Sequence, residues 1–165
     1  MVRNMKIISD SIYNDYFSDN CGSHGGNCSP AIRIADAPEE TASFALLIED
    51  RDAVPVSGGF SWVHWAACNI TSRELPEDAS RSMAESMVQG LNSYTSPQGG
   101  SLPPEDCIGY CGMSPPNEDH IYTIHVYALD RKLDLKNGFP MNMMFRAMRG
   151  HVLAQAELDA WYRKA

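Results

Sequence analysis

The segment from Glu118 to Asp130, reading Glu-Asp-His-Ile-Tyr-Thr-Ile-His-Val-Tyr-Ala-Leu-Asp, restricts the fold more than any other part of the chain. His120, Tyr122, Ile124, Val126 and Ala128 share one parity, so an extended backbone lines them along one face. The segment therefore reads as a core strand with a histidine and a phenol at its mouth. Two further apolar runs have the same design: Phe44, Leu46, Ile48 and Asp50 share a parity in one, and Trp62, His64, Ala66 and Cys68 in the other. Each run ends or begins in a polar group on its core-side parity, which makes Asp50, His64, His120 and Tyr122 candidates for one pocket. A single histidine on an apolar face is more often a hydrogen-bonded core residue. It is the set of four that points to a site.

At 165 residues the chain is expected to form one domain, residues 1–165, with a core large enough to need no staples. The net charge is −8 and the basic residues are scattered singly. That excludes a nucleic-acid groove or an anionic membrane surface as partner, because both need a basic patch. The N-terminal Met-Val-Arg-Asn-Met-Lys runs into Ile-Ile-Ser-Asp rather than an apolar signal region, and no run reaches transmembrane length. A cytoplasmic protein without membrane insertion is the expectation. The five cysteines, Cys21, Cys28, Cys68, Cys107 and Cys111, are odd in number, which argues against a complete disulfide framework. Cys107 and Cys111, with three residues between them and no second pair, are a weak zinc signal, so no metal and no cofactor are expected.

In chain order, Met5 to Ser9 reads as a short strand, followed by loop to Asn20 and a Gly- and Pro-containing turn from Cys21 to Pro30. Ile32 and Ile34 fit another short strand before Ala37-Pro38. Thr41 to Glu49 is a strand, Asp50 to Pro55 a charged turn, and Phe60 to Ile70, apolar on both parities, an interior strand. Helical turns fit Ala79 to Leu91, and the stretches Leu91 to Pro104 and Cys107 to Asn117 have loop composition of the kind that is functional or pinned to a core. Met141, Met144, Phe145 and Met148 predict a helix that ends at Gly150. Leu153, Ala156, Leu158 and Trp161 predict a second, from His151 to Lys164. The fold class is mainly β, a sandwich with peripheral and C-terminal α-helices.

The motifs Asn27-Cys28-Ser29-Pro30, Asp50-Arg51-Asp52-Ala53-Val54-Pro55, His64-Trp65, Gly90-Leu91-Asn92, Gly109-Tyr110-Cys111-Gly112 with Pro115-Pro116, His120-Ile121-Tyr122, Tyr127-Ala128-Leu129-Asp130 and the stretch Gly150 to Leu158 stand in one specific order. Together they resemble the phosphatidylethanolamine-binding protein family, with the bacterial and archaeal Raf-kinase-inhibitor-like branch the nearest. The resemblance spans nearly the whole chain. It implies a Greek-key sandwich of two antiparallel sheets with an anion pocket at one edge. Carried over residue by residue, the pocket falls on Asp50, His64, His120 and Tyr122. Its wall falls on Asp52, Pro55, Trp65, Gly112, Pro115 and Pro116.

Three departures from the family pattern stand out. Arg51 occupies a usual proline position and Val54 is an extra residue before Pro55. Ile121 replaces a usual arginine after His120, removing a partner for Asp52 that Arg51 is placed to replace. The tract Asn117-Glu118-Asp119 lacks the family's glycine and adds negative charge.

Two imidazoles and a phenol suit a phosphate or carboxylate as hydrogen-bond donors, while Asp50 can orient an imidazole or accept an ammonium. A zwitterionic phosphoethanolamine-like head group answers both. The expected function is thus non-catalytic binding of a small anionic or zwitterionic ligand, such as phosphate or phosphoethanolamine. The resemblance adds a protein partner regulated in the manner of kinase or protease inhibitors, and a homodimer. The rival is a hydrolase using the His/Asp pocket residues, but the chain has neither a Gly-x-Ser-x-Gly elbow nor the local signature of an activated thiolate.

Overall fold

The computed structural model describes residues 4–165; the opening Met-Val-Arg of the segment read for targeting lies outside them. Along the chain, β1 (Lys6–Ile8) is followed by the small hairpin β2 (Ile12–Tyr13) and β3 (Tyr16–Phe17), then β4 (Ile32–Ala35) and β5 (Ser43–Asp50). A short helix α1 (Val54–Ser57) leads into β6 (Trp62–Ile70), and β7 (Glu74–Leu75), α2 (Ala79–Ser82) and β8 (Val88–Gln89) follow. The last elements are β9 (His120–Leu129), α3 (Met141–Met148) and β10 (Val152–Tyr162).

The long apolar runs pair with one another because each has a face that only a neighbouring strand and an opposing layer can cover. They form the centre of a seven-stranded sheet ordered β2-β3-β10-β9-β5-β6-β8, packed against a three-stranded sheet ordered β1-β4-β7. The β10–β9, β9–β5 and β5–β6 pairings are antiparallel; β10 meets β3 in parallel at the single pair Trp161↔Tyr16. Phe44, Leu46, Ile48, Ile124 and Val126 face Ile7, Ile32, Ile34 and Leu75 of the smaller sheet in one core. Each such buried side chain stabilises by about 1.5–3 kcal/mol. The other face of the large sheet is covered by α3, whose Met144 and Met148 pack on Ala45, Leu47, Ala66 and Cys68. That is the Met-rich face the helical spacing predicts.

Two sequence expectations are corrected here. The segment predicted as a helix from His151 to Lys164 is the strand β10, paired with β9 from Ala154↔Ala128 to Tyr162↔His120. Its Ala, Leu, Glu and Gln content favours helix locally, but Ala154, Ala156, Leu158, Ala160 and Tyr162 also alternate, and the exposed edge of β9 offers them a ladder and a core. Leu153 and Trp161, counted on the helical face, are exposed instead. Gly150 does end α3, at φ +80°, a left-handed conformation that suits glycine.

The second correction concerns β6. Ile48 pairs with Trp65 but Glu49 pairs with Val63, which leaves His64 as an extra residue in a β-bulge. Beyond the bulge Ala66 and Cys68 face α3, while Trp65 and Ala67 face the inter-sheet core. His64 therefore does not share a face with Ala66 and Cys68 as simple parity has it.

Candidate functional site

Register brings the site together at one end of the sheet. Asp50, the last residue of β5, lies opposite Trp62 on one side and Tyr122 on the other, so the three side chains form a row across β6, β5 and β9. His120 follows two residues before Tyr122, and the bulge swings His64 onto the same face, its ring 5.1 Å from that of Tyr122 at 75°. Asp50, His64, His120 and Tyr122 all line one cavity of about 270 Å³. The four residues expected to converge do so.

Their hydrogen bonds assign each a role. His120 is fully buried; its Nδ1 donates to Asp50 Oδ2 at 2.7 Å and its Nε2 sits 2.7 Å from Asn117 Oδ1. Both ring nitrogens are spent inside the protein, so His120 positions Asp50 rather than offering an N–H to a ligand. His64 Nδ1 donates to the Cys111 carbonyl at 2.8 Å, which leaves Nε2 for the cavity. Burial lowers the His64 pKa below the ordinary histidine value, against the opposing pull of the Cys111 carbonyl and Asp50. The ring is thus neutral near neutral pH and its Nε2 is an acceptor. Asp50 Oδ1 and Tyr122 OH are buried polar atoms without a hydrogen-bond partner. Burial, then the charge of Asp50, raises the Tyr122 pKa, yet no hydrogen bond of good geometry joins the two. Unpartnered buried polar atoms are costly and call for an explanation.

The expected wall is met in part. Gly112 and Pro116 line the cavity. A Cβ at Gly112 would lie 2.4 Å from the Ser23 amide nitrogen, and the Gly112 N–H donates to Asn27 Oδ1, so the Cys21 to Pro30 turn clamps this wall and only glycine fits. Asp52, Pro55, Trp65 and Pro115 are not on the lining. Asp52 accepts from the Ile121 backbone N–H at 2.8 Å, Pro55 is exposed in α1, and the Pro115 carbonyl accepts from the Ala165 N–H. Trp65 is fully buried with Nε1 donating to Gln89 Oε1. Arg51 does not replace the missing arginine; it donates to Thr123 Oγ1 at 2.8 Å, and the Ile121 amide itself satisfies Asp52.

The rim is aromatic and was only partly visible in the sequence. Trp62, opposite Asp50, stacks on Phe60 at 5.9 Å and meets Tyr94 edge-on at 5.5 Å; Trp62, Tyr94 and Val56 all line the cavity. Trp62 lies on the parity row that includes His64, so strand pairing could have found it. Tyr94 could not be found that way: it sits in a one-turn 3-10 segment, Ser93–Thr95, docked by the Val63 N–H donating to Ser93 Oγ. Among the described residues, no group of three or more His, Cys, Asp or Glu side chains could hold a metal ion. No helix of the described residues is long and apolar enough to cross a membrane.

A two-layer β-sandwich with a small half-polar cavity at the strand ends defines a ligand-binding protein. The chain matches the family described as phosphatidylethanolamine-binding protein over residues 9–163. It is 45% identical over 130 residues to YxkA of Bacillus subtilis, an uncharacterised protein, covering 78% of this chain and 77% of that one. A crystal structure of a phosphatidylethanolamine-binding protein homologue from Chlamydia trachomatis aligns with a TM-score of 0.83 at 30% identity, covering 99% of this chain and all of the other. That of Escherichia coli YbcL, described as a new member of the mammalian family, aligns with 0.79 at 26% identity over 98% and 99% of the two chains. The chain belongs to the phosphatidylethanolamine-binding protein family, in its bacterial and archaeal branch.

Proposed function

We propose that this protein binds a phosphate-headed small ligand, phosphoethanolamine being the model, without transforming it. The observation that carries this is the pair of unpartnered polar atoms, Asp50 Oδ1 and Tyr122 OH, on the lining of a 270 Å³ cavity. A ligand that completes their hydrogen bonds recovers the desolvation penalty they bear when the cavity is without it. A singly charged phosphate monoester supplies a P–OH for Asp50 and a phosphoryl oxygen for the Tyr122 hydroxyl, and the ring faces of Trp62 and Tyr94 accommodate the ammonium or an apolar remainder.

Against a hydrolase using the same residues, neither serine on the lining, Ser57 or Ser114, is hydrogen-bonded to His64 or His120. Ser57 Oγ is held between the Phe60 carbonyl and the Phe60 N–H. The Cys111 thiol, beside His64, is pushed up to about 12 by burial, far from a thiolate at neutral pH. His120 is hydrogen-bonded to Asp50 and to Asn117 and to no hydroxyl, so it does not stand as the base of a triad.

Calorimetric titration with phosphoethanolamine tests the reading, alongside an ester panel for turnover. Tyr122→Phe is expected to weaken phosphoethanolamine roughly three- to tenfold, the worth of one hydrogen bond. Affinity should rise as pH falls below the ordinary histidine value, because protonating His64 converts Nε2 into a donor. Turnover of any ester that disappears in His64→Ala would transfer the site to the hydrolase. A regulated protein partner, a homodimer and a cytoplasmic location belong to the same proposal and rest on the family; sedimentation at two concentrations checks the dimer.

A further inference from the structure

We infer that the pocket selects a protonated phosphoryl group over sulfate, with Asp50 Oδ1 as the atom that discriminates. This rests on the phosphate-binding reading and adds to it which ionic form is taken and which residue reads it. Asp50 is 3% exposed, its Oδ2 is occupied by His120 Nδ1, and its Oδ1 is without a partner. His120 cannot turn its other nitrogen to the task, because Nε2 faces Asn117 Oδ1. A buried carboxylate oxygen accepts hydrogen bonds and cannot donate them. A ligand oxygen without hydrogen placed against Oδ1 sets two lone pairs face to face in a low-dielectric site. A P–OH turns the same contact into a charge-assisted hydrogen bond.

The neighbouring groups sharpen the selection. From β6, neutral His64 presents a second acceptor; from β9, Tyr122 keeps its proton because its pKa is raised; Cys111, beside the His64 ring, is a thiol. The Tyr122 hydroxyl lies near Asp50 but forms no hydrogen bond of good geometry with it, and neither does any other neighbour, so Asp50 Oδ1 is left for a proton that the ligand brings. Phosphate monoesters have their second pKa near ~6 and carry a P–OH in the singly charged form. Sulfate and sulfate esters carry no proton near neutral pH. With a net charge of −8 on the chain, the singly charged form also enters against a weaker repulsion than a dianion.

Methyl phosphate and methyl sulfate, titrated into the wild type at constant ionic strength at about pH 6 and about pH 8, on either side of neutrality, read this directly, because the phosphate monoester carries its P–OH only in the singly charged form. At the lower pH, methyl phosphate is expected to bind at least about tenfold tighter than methyl sulfate, the worth of one charge-assisted hydrogen bond. The ratio should shrink at the higher pH. Protonation of His64 helps both anions, so the ratio isolates Asp50. In Asp50→Asn, whose amide can donate, methyl sulfate should gain and the ratio should fall to about threefold or less. Equal affinities for the two anions in the wild type overturn the inference while leaving phosphate binding standing, as does a folded Asp50→Asn variant that keeps the full ratio. If neither anion binds at either pH, phosphate binding and its selectivity fall together. The wild-type ratio and its pH dependence decide the matter even if Asp50→Asn does not fold.

Discussion

His120 and Tyr122 sit two residues apart on one strand face, yet they make opposite contributions to the folded state. His120 satisfies the buried Asp50 carboxylate, so His120→Ala strands a charge in a low-dielectric site. The expected cost is on the order of 3 kcal/mol in chemical denaturation near neutral pH, larger than the loss of contacts alone. Tyr122 OH has no partner, so Tyr122→Phe removes an unsatisfied group and should leave the ligand-free protein as stable or up to about 1–3 kcal/mol more stable. The same variant binds phosphoethanolamine less well, and the opposing signs in one protein mark a site built for a ligand rather than for the core. A Tyr122→Phe variant that is less stable without ligand would show that the hydroxyl is already paired within the fold.

At the scale of elements, the contrast between α3 and β10 shows how far periodicity reaches. In α3 the spacing of Met141, Met144, Phe145 and Met148 has a single covered face, and the helix forms where that spacing places it. Met144→Ala should cost about 2–5 kcal/mol, because the side chain is fully buried against the sheet, whereas Met143→Ala, 38% exposed, should stay within about 0.5 kcal/mol. Equal costs would place the helix on another face. In β10 the same residues satisfy two periods, and pairing with β9 selects period two. The bulge at His64 is a third instance at this scale, since one extra residue in β6 moves a histidine from the α3 side of the sheet to the cavity.

For the whole molecule, the burial of His64 couples the site to stability. Its folded-state pKa lies below its unfolded value, so above the ordinary histidine value of about 6.5 both states are neutral and the full stability is present. As pH falls below that value the unfolded chain takes up a proton that the folded protein refuses, and stability declines until the lower folded pKa is reached. Glu49 acts at lower pH. Its carboxyl is lowered by the hydrogen bond from His125 Nε2, at 2.7 Å, so its contribution is present above the ordinary carboxylate range and is lost as pH drops through the folded value. Denaturation midpoints are therefore expected to fall in two stages on acidification, with the first absent in His64→Gln and phosphoethanolamine shifting it. A midpoint flat from neutral pH to the carboxylate range would contradict a neutral, buried His64.

The apolar content of three runs determined the central strands β5, β6 and β9 from the sequence alone, because runs of that length and composition are covered only when paired in a sheet between two layers. Alternation placed Asp50, His120 and Tyr122 on one face, and helical spacing placed α3. Local order could not settle β10, since the choice between helix and strand there depended on whether a partner edge stood beside it. Nor could it give the reason for His64, which reaches the cavity through a bulge that is defined only by the register of β6 against β5. Tyr94 and Asn117 joined the site by loop docking, which has no period to read. The sequence also made both histidines look like donors to a ligand. Only the tertiary contacts, Cys111 carbonyl on one ring and Asp50 with Asn117 on the other, decided that the protons were already committed and that the cavity accepts more hydrogen bonds than it offers.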